Sequence, residues 1–474
     1  MNTITVENLS FIYRGSDKFA VRDVNLTIRE GECVLLCGKS GCGKTTLTRF
    51  FNGLIPDYFE GEVTGKCRVF GLENGKNPIE DFVPVAGSVF QNPKTQYFNT
   101  NTMAELAFPC KNMGMPGEEI RQRIALCAQK YKLEELLDKS IFHLSGGEKQ
   151  RIACGAATML SPRLLVLDEP TSNLDNRAVG DLRDILEILK REGVTIVLAE
   201  HRIAWLKNLV DTCCFMENGR LTERYSAEEF WKLTDGELDR RGLRATNLEP
   251  YRKNLAEKEQ RQTGGKPARL RMEQVEVGYQ KKHPVYRVEN LELYGGEIVG
   301  LMGENGIGKS TLTKTICGLL KPLKGQILWN GKRIAARELV RKCFLVMQDV
   351  NYELVSDSVR EEVMLDTADS EACDKVLEKL GLTELAERHP MSLSGGQKQR
   401  VVIAAAMVSR KELILMDEPT SGLDRFHMQQ VGQLLTELKK QGKTILVITH
   451  DEEMAADWCD RVYRMTGVGA PEDL

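Results

Sequence analysis

The sequence lacks a strong charge of either sign. Among its 474 residues, 65 basic and 68 acidic side chains leave a formal net charge of −3. A chain without a basic excess has no global electrostatic attraction to nucleic acid or to an anionic membrane surface. Any affinity for phosphate groups must therefore come from local sites.

Long apolar runs are also absent. No stretch approaches the roughly 18 to 20 apolar residues that a membrane-spanning helix needs, and the first residues, MNTITVENLSFIYRG, lack the pattern of a secretory leader. The thirteen cysteines show neither metal-ligand spacing nor the spacing of a disulfide scaffold, and Cys33 and Cys37 lie in one apolar run. We therefore expect a soluble, intracellular protein with reduced thiols.

What the chain does contain is an internal repeat. Four motifs occur twice: GKSGCGKTTLT and GENGIGKSTLT, HLSGGEKQR and SLSGGQKQR, LLVLDEPTSNLD and LILMDEPTSGLD, TIVLAEH and TILVITH. From the second motif onward the two copies stay 249 positions apart, as at Glu169 and Glu418. Two copies in register indicate two folded domains of one architecture.

The repeat and the composition predict the domain organisation. We predict a first domain over residues 1–225, a charged linker, partly helical and partly flexible, over 226–269, and a second domain over 270–474. Continuous apolar runs such as CVLLCG and IVGLMG are typical of parallel strands that are buried on both faces. Their alternation with helix-period stretches predicts an α/β fold with two tandem domains, each built on a mainly parallel sheet.

Each domain contains a loop of the form G-x-x-x-x-G-K-[ST], which cradles phosphates with backbone N–H groups at the start of a helix. We predict that Lys44 and Lys309 reach the β- and γ-phosphates and that the hydroxyls of Thr45 and Ser310 contact Mg²⁺. The predicted nucleotide-binding residues of the two loops are Gly38, Lys39, Ser40, Gly41, Cys42, Gly43, Lys44, Thr45, Thr46, Gly303, Glu304, Asn305, Gly306, Ile307, Gly308, Lys309, Ser310 and Thr311.

Two adjacent acids end an apolar strand in each domain. Asp168 and Asp417 fit the strand-end carboxylate that holds Mg²⁺, and Glu169 and Glu418 fit the base that polarises the attacking water. Each glutamate follows the serine of its LSGG motif by 24 residues, in both domains. This repetition favours a catalytic pair over an acidic helix cap.

The LSGG[EQ]KQR segment, the glycine loop and the DEPTS-x-LD run together resemble the ATP-binding cassette (ABC) family across both halves. The resemblance implies that each domain adds a β-subdomain and a helical subdomain to its sheet. It also implies that the two halves pair head to tail, so that each signature segment contacts the ATP of the opposite half. The matching signature residues are Ser145, Gly146, Gly147, Ser394, Gly395 and Gly396.

The resemblance assigns further roles, position by position. His201 and His450 match the histidine that contacts the γ-phosphate and count as catalytic. The remaining matches are Gln91 and Gln348 for the glutamine near Mg²⁺, Tyr13 and Tyr279 for the aromatic that stacks on adenine, and Asp175 and Asp424 for the aspartates of the domain interface. ATP and Mg²⁺ are thus the implied ligands, and neither half has lost a key residue.

The resemblance also implies which process the ATPase drives. We expect an ATPase, cytoplasmic and peripheral on the inner face of the cell membrane, that powers transport through separate transmembrane subunits. The stretches FNGLIPDYFEGEVTG, VFQNPKTQYFN and VMQDVNYELVSDSV resemble ATPases of energy-coupling-factor importers. Those importers take up vitamins and related micronutrients through a coupling subunit and a substrate-binding subunit.

Two alternatives stay open. One is a soluble twin ATPase acting on ribosomes or nucleic acid, although the near-balanced charge of residues 226–269 argues against it, and we expect no nucleic-acid partner. The other is the twin ATPase of a sugar importer, whose second site is often degenerate, unlike the second site of this chain.

Overall fold

The structure is a computed structural model that describes residues 2–91, 96–261, 267–280, 282–348, 350–393 and 395–466. The chain forms two compact units. The first unit comprises Met1–Asn247 and the short segment Gly422–Phe426, and the second comprises Leu248–Ser421 and His427–Leu474. Each unit is described by itself.

The first unit combines an antiparallel and a mainly parallel sheet. Its strands are β1 (Asn2–Tyr13), β2 (Phe19–Arg29), β3 (Cys33–Cys37), β4 (Gly61–Val69), β5 (Leu72–Glu73), β6 (Ala86–Val89), β7 (Leu164–Asp168), β8 (Thr195–Ala199), β9 (Thr212–Glu217) and β10 (Arg220–Ser226). The antiparallel sheet has the order β2-β1-β4-β5, and the larger sheet has the order β10-β9-β3-β8-β7-β6. All neighbours in the larger sheet are parallel except the β9–β10 pair.

Helices cover the sheets of the first unit. They are α1 (Lys44–Phe51), α2 (Ile79–Phe82), α3 (Thr102–Asn112), α4 (Gly117–Tyr131), α5 (Gly146–Thr158), α6 (Asn176–Arg191), α7 (Ala227–Phe230) and α8 (Asp235–Arg241). Short 3₁₀ turns lie at Glu134–Leu136, Ile141–His143 and Ala204–Leu206.

Burial on both faces explains the continuous apolar strands. In β3, Cys33 and Leu35 pack into a core cluster with the helices α3 to α6, whereas Val34 and Leu36 pack into a cluster with β1, β2 and α1. Strands β7 and β8 alternate in the same way. The apolar runs therefore form the central layer, as the sequence predicted.

The second unit repeats this architecture. Its strands are β11 (Ala268–Val277), β12 (Tyr286–Tyr294), β13 (Ile298–Met302), β14 (Lys324–Trp329), β15 (Lys332–Arg333), β16 (Cys343–Val346), β17 (Leu413–Asp417), β18 (Thr444–Ile448) and β19 (Arg461–Arg464). Its antiparallel sheet has the order β12-β11-β14-β15, and its parallel sheet has the order β16-β17-β18-β13-β19.

The helices of the second unit follow the same plan. They are α9 (Glu249–Gln260), α10 (Lys309–Ile316), α11 (Ala336–Lys342), α12 (Val359–Met364), α13 (Ser370–Lys379), α14 (Gly395–Val408), α15 (Arg425–Lys440) and α16 (Glu452–Trp458), with 3₁₀ turns at Val350–Tyr352, Thr383–Leu385 and Pro390–Ser392. The first two residues of α15, Arg425 and Phe426, belong to the first unit. The α/β fold with two tandem domains is confirmed.

The structure places the boundary between the domains differently from the predicted linker over 226–269. Residues up to Asn247 belong to the first unit, because Phe230 and Leu238 are buried in its core and capping boxes at Ser226 and Thr234 begin α7 and α8. Helix α9 belongs to the second unit, where Lys258 donates to the carbonyl of Cys459 at 2.6 Å. The composition of this stretch is dominated by exposed charged residues, so it did not indicate that Phe230 and Leu238 are buried. Gly264 and Gly265, the expected tether, lie outside the described residues.

The structure bears on two expectations from composition, which concern the cysteines and membrane-spanning helices. All thirteen cysteines lie in the described part of the chain, and all are unpaired and buried. Within the described residues, none of the helices has the length and hydropathy to cross a bilayer.

We predict that Phe230 stabilises the first unit although it lies beyond the repeat. Its side chain is fully buried, so Phe230→Ala should lower the free energy of unfolding of that unit by about 3–5 kcal/mol. Lys232→Ala, an exposed change two residues on, should alter it by less than about 0.5 kcal/mol. Denaturant unfolding followed by circular dichroism measures both, and equal effects of the two changes would contradict the assignment of 226–247 to the first unit.

Candidate nucleotide-binding sites

The glycine loop of the first unit follows β3 and leads into α1. Gly38, Gly41 and Gly43 have φ angles of 143°, 77° and 107°, a region that side chains disfavour. A Cβ atom on Gly38 would lie 2.2 Å from the carbonyl oxygen of Met216, so only glycine fits there. The ammonium of Lys44 turns back over the loop and donates to the carbonyls of Gly38 at 3.0 Å and Lys39 at 3.2 Å.

The start of helix α1 suits an anion. Its N-cap, Gly43, offers no side-chain cap to the backbone N–H groups of the first turn, and that turn contains no acidic residue. These N–H groups and the helix dipole attract negative charge. Helix α10 begins in the same way after Gly308, with no side-chain cap and no acid. Both loops therefore fit a polyphosphate.

A hydroxyl and a carboxylate meet beside the first loop. Thr45 donates from Oγ1 to Oδ1 of Asp168 at 3.0 Å. Burial, and then the neighbouring Glu169, raise the pKa of Asp168 to about 6, while the hydrogen bond from Thr45 opposes this rise. Within the described residues no group of three or more His, Cys, Asp or Glu side chains is arranged so that it could hold a metal ion by itself. One hydroxyl and one carboxylate are nevertheless the oxygen ligands that Mg²⁺ uses when phosphates and water complete its shell.

Glu169 adopts a strained backbone conformation directly after β7. Its φ angle is 45°, and Glu418 has a φ of 48° at the same place after β17. Such a conformation costs a non-glycine residue about 1–3 kcal/mol and persists where the surrounding structure enforces it. In both units the strained amide donates to the end of the neighbouring strand, at Ala199 and Ile448 respectively. Both glutamates leave their strand in the same conformation, and each carboxylate lies 3.2 Å from the histidine of its own unit.

Two side chains contact the carboxylate of Glu169, and two more contact its partner His201. Gln91 donates from Nε2 to Oε2 of Glu169 at 2.6 Å, and Nε2 of His201 lies 3.2 Å from Oε1. The same His201 nitrogen lies 3.4 Å from Nζ of Lys44 and 3.4 Å from Oγ of Ser40. The structure thus brings the predicted lysine, glutamate, histidine and glutamine of the first site together.

The second unit builds an equivalent cluster with one different partner. Lys309 donates to the carbonyls of Gly303 at 2.7 Å and Glu304 at 2.9 Å, and its Nζ lies 3.3 Å from Nε2 of His450. That nitrogen lies 3.2 Å from Oε1 of Glu418. It also lies 2.7 Å from Oδ1 of Asn305, where the first site has Ser40.

The other loop residues support this arrangement. Burial raises the pKa of Asp417, against the opposing effects of Lys309 and of a hydrogen bond from Ser310. Cys42 is buried, and burial raises the pKa of its thiol. Gly306 and Gly308 repeat the positive φ angles of the first loop, at 83° and 111°. Three loop residues remain. Thr46 is buried beside Tyr13, Thr311 is buried, and Ile307 packs against the apolar core of the second unit.

The first signature segment begins helix α5. Ser145 accepts from the amide of Glu148 at 3.3 Å, and the Glu148 carboxylate accepts from the amide of Ser145 at 2.7 Å. Ser145 and Gly146 are exposed, whereas a Cβ atom on Gly147 would lie 2.6 Å from that of Ala178.

In the second signature segment, Gly395 and Gly396 are exposed at the start of α14. A Cβ atom on either would meet nothing within 4 Å. Ser394 lies outside the described residues.

The predicted aspartates and aromatics occupy different environments. Asp175 caps α6 by accepting from the amide of Ala178 at 2.9 Å. Asp424 is buried in the first unit, where it accepts from the amide of Ser40 at 2.6 Å. Tyr13 is half-buried and its hydroxyl accepts from Arg49 at 2.8 Å, whereas Tyr279 and Gln348 are exposed. The adenine-stacking role of the two tyrosines stays a prediction.

Sequence reasoning missed two groups around the sites. Glu200 is a buried carboxylate whose Oε2 accepts from the hydroxyl of Thr171 at 2.6 Å. Gln96 accepts at 3.1 Å from the amide of Phe90, directly before Gln91, while Glu353 accepts from the amide of Met347, directly before Gln348. The mismatches between the copies, AEH against ITH and Gln96 against Glu353, were the signals that could have revealed them.

Comparison with known proteins identifies relatives of the whole chain. A protein-family model described as ABC transporter matches residues 21–172 and 286–421. A putative ABC transporter ATP-binding protein of Treponema denticola is 40% identical over 469 residues, which cover 98% of this chain and 95% of that protein.

Two solved structures are similar to the chain to different extents. A chain in a model of ribosome-bound archaeal Pelota and ABCE1 aligns with a TM-score of 0.68 and 22% identity, over 97% of this chain and 76% of that one. The structure of cbiO1 from Clostridium perfringens, described as part of the ABC transporter complex cbiONQ, aligns with a TM-score of 0.46 and 29% identity, over 54% of this chain and 99% of that one.

We predict that Glu353 makes the stability of the second unit depend on pH. Burial raises its pKa to about 7, with the neighbouring Glu362 also raising it and the amide of Met347 lowering it, whereas an unfolded chain has a glutamate pKa of about 4.3. The folded unit then binds the extra proton between these values, so its stability falls as the pH rises through this window.

Glu353→Gln should remove that fall, so the variant gains stability relative to the parent between pH 5 and pH 8. Gln96→Glu, the reciprocal change in the first unit, should introduce the same fall there. Thermal unfolding across this pH range measures both, and a difference between Glu353→Gln and the parent that does not vary with pH would contradict the prediction.

Proposed function

Because the chain belongs to the ABC transporter family and is an ATP hydrolase, we propose that it is the energy-supplying subunit of a membrane transporter. Each family domain binds ATP, and this chain has two. In the proposed mechanism both hydrolyse it, since the same kinds of residue surround both glycine loops. The signature segments would complete the site of the opposite half, as the family resemblance implies.

The chemistry in the first site would be divided among a few side chains. Lys44 and His201 stabilise the charge on the transferred phosphoryl group, and Glu169 orients and polarises the attacking water. Mg²⁺, which Thr45 and Asp168 would hold, supplies charge neutralisation on the phosphates. The strained conformation of Glu169 keeps its carboxylate within reach of both Gln91 and His201. The second site would use Lys309, His450, Glu418, Ser310 and Asp417 in the same roles.

Exposed apolar side chains near the glutamine segments carry the transport proposal. In the first unit Phe98 and Phe142 are each 75% exposed, and Phe98 stacks on Phe108 with ring centroids 4.9 Å apart. The segment that contains Phe98 and the segment that contains Phe142 are joined by a hydrogen bond, in which the amide of Ile141 donates to the carbonyl of Thr100 at 2.9 Å. Exposed apolar side chains that lie together are typical of surfaces that bind a partner.

The second unit exposes apolar residues at matching positions. They are Val355, Leu365 and Met391, which correspond to Phe98, Phe108 and Phe142. We propose that amphipathic helices of transmembrane subunits bind these surfaces, with their apolar faces against them.

The energy-coupling-factor type is the form of transport that we favour. Two of the stretches that resemble those ATPases, residues 89–99 and 346–359, also contain the exposed Phe98 and Val355. The partners would then be a coupling subunit and a vitamin-binding or micronutrient-binding subunit, and the chain would lie on the inner face of the membrane. A sugar importer is less favoured, because neither site here has lost a key residue.

A soluble ATPase that acts on ribosomes is the second candidate. The likeness to the chain in the ribosome-bound model, at 22% identity, concerns the fold. The relative that is 40% identical over nearly the whole chain carries a transporter name, which supports the first candidate.

We predict that both glutamates are needed for full turnover. Glu169→Gln and Glu418→Gln should each slow hydrolysis at their own site by about 10²-fold or more, since they remove the base and leave the binding loop unchanged. Nucleotide affinity, measured by calorimetry, should stay within twofold of the parent. Glu80→Gln on α2, an exposed change, serves as the control. If either catalytic variant hydrolysed ATP at the parental rate, two equivalent sites would be ruled out.

Purification from the native membrane tests whether the chain acts in transport. The tagged chain should bring down transmembrane subunits, and Phe98→Asp with Phe142→Asp should reduce their recovery at least tenfold. Phe19→Asp, at another exposed phenylalanine of the first unit, should not reduce it. Recovery of ribosomes in place of membrane subunits would favour the second candidate, and the identity of the subunits would separate an energy-coupling-factor importer from a sugar importer.

A further inference from the structure

Glu200 is an ionisable side chain buried next to the first site. It is 2% exposed and precedes His201, at the end of β8. Its Oε1 accepts from the amides of His201 at 2.7 Å and Arg202 at 3.1 Å. Its Oε2 accepts from the hydroxyl of Thr171 at 2.6 Å and from the amide of Thr171 at 3.3 Å. Burying a carboxyl group costs free energy, and the hydrogen bonds from these four donors compensate for that cost.

The donors lie on two different segments. His201 and Arg202 follow β8, whereas Thr171 follows β7, two residues after Glu169. The guanidinium of Arg202 adds a second link between these segments, since it donates to the carbonyl of Leu174 at 3.1 Å. The carboxylate therefore joins the segment of the histidine to the segment of the glutamate, beside the 3.2 Å contact between Glu169 and His201.

The second unit makes this connection from the other side of its histidine. At the three positions that match Glu200, His201 and Arg202, it has Thr449, His450 and Asp451. The hydroxyl of Thr420, the counterpart of Thr171, donates to Oδ2 of Asp451 at 2.9 Å. Both units thus connect the same threonine to the histidine segment through a buried carboxylate, but the carboxylate precedes the histidine in one and follows it in the other.

We propose that Glu200 is a positioning residue of the first site, which sets the distance between Glu169 and His201, and that Asp451 performs this task in the second site. The inference rests on the proposed roles of those two site residues. It identifies the first site as a variant in which Glu200 and Arg202 together replace a single aspartate. A change at Glu200 should then impair hydrolysis at the first site in particular.

A relocation of the carboxylate provides the test. Glu200→Thr removes the acceptor for the donors on both segments, and Glu200→Thr with Arg202→Asp recreates the arrangement of the second unit. Turnover is measured in the purified full chain with Glu418→Gln as the background, so that hydrolysis reports on the first site. Glu200→Thr should lower kcat about tenfold or more, because misplacing a catalytic group by a fraction of an ångström is costly, and it should change KM less than threefold.

The double change should restore at least half of the lost kcat. In the Glu169→Gln background, which leaves the second site, the loss caused by Glu200→Thr should be at least tenfold smaller. Glu192→Thr, at an exposed glutamate of the same unit, is the matched control for loss of a carboxylate. Thermal unfolding identifies variants that fail to fold, and kcat is expressed per folded molecule.

Three results would overturn the proposal. The first is a parental kcat for folded Glu200→Thr, and the second is a folded double variant without recovery. An equal loss in both backgrounds would also overturn it, because the effect would then be one on the whole chain. The proposed transport function fails by a separate result, the absence of membrane partners, so the two failures are distinguishable.

Discussion

The parallel pairing of three strands is the constraint on which each candidate site depends. In the first unit β8 lies between β3 and β7, and in the second β18 lies between β13 and β17. The carboxyl ends of parallel strands meet at one edge of a sheet, so whatever follows these strands converges. The glycine loop follows β3, the acidic pair ends β7, and the histidine follows β8. Residues that are more than 100 positions apart, such as Lys44 and His201, thereby come within 3.4 Å.

Close approach then places precise demands on single residues. Gly38 must be glycine because a carbonyl oxygen occupies the space that a side chain would need. Glu169 has a left-handed backbone conformation, and its carboxylate contacts Gln91 and His201. Glu418 repeats this conformation 249 residues later. Strain that recurs at two matching positions is consistent with the proposed role of these glutamates, in which the backbone orients the carboxylate.

The two units solve the same problem with different side chains. Ser40 and Asn305 approach the histidines, Gln96 and Glu353 hold the backbone before the glutamines, and Glu200 stands where the second unit has a threonine. These substitutions change the side chain that makes the contact, and two of them, Gln96 against Glu353 and Glu200 against Thr449, also change where a carboxylate lies. The sites are therefore alike in their main residues and individual in the residues that support them.

The sequence by itself determined the repeat and the fold class, and it predicted the residues that the structure brings together at each candidate site, because phosphate-binding loops and strand-end acids carry local patterns. It did not determine where the first domain ends. Phe230 and Leu238 are isolated apolar residues in a charged stretch, and only their burial in the core shows that residues 226–247 belong to the first unit. Nor did it reveal Glu200, whose partner Thr171 is 29 positions away. Local patterns report the conformation of neighbouring residues, whereas contacts between distant segments exist only once the strands have paired.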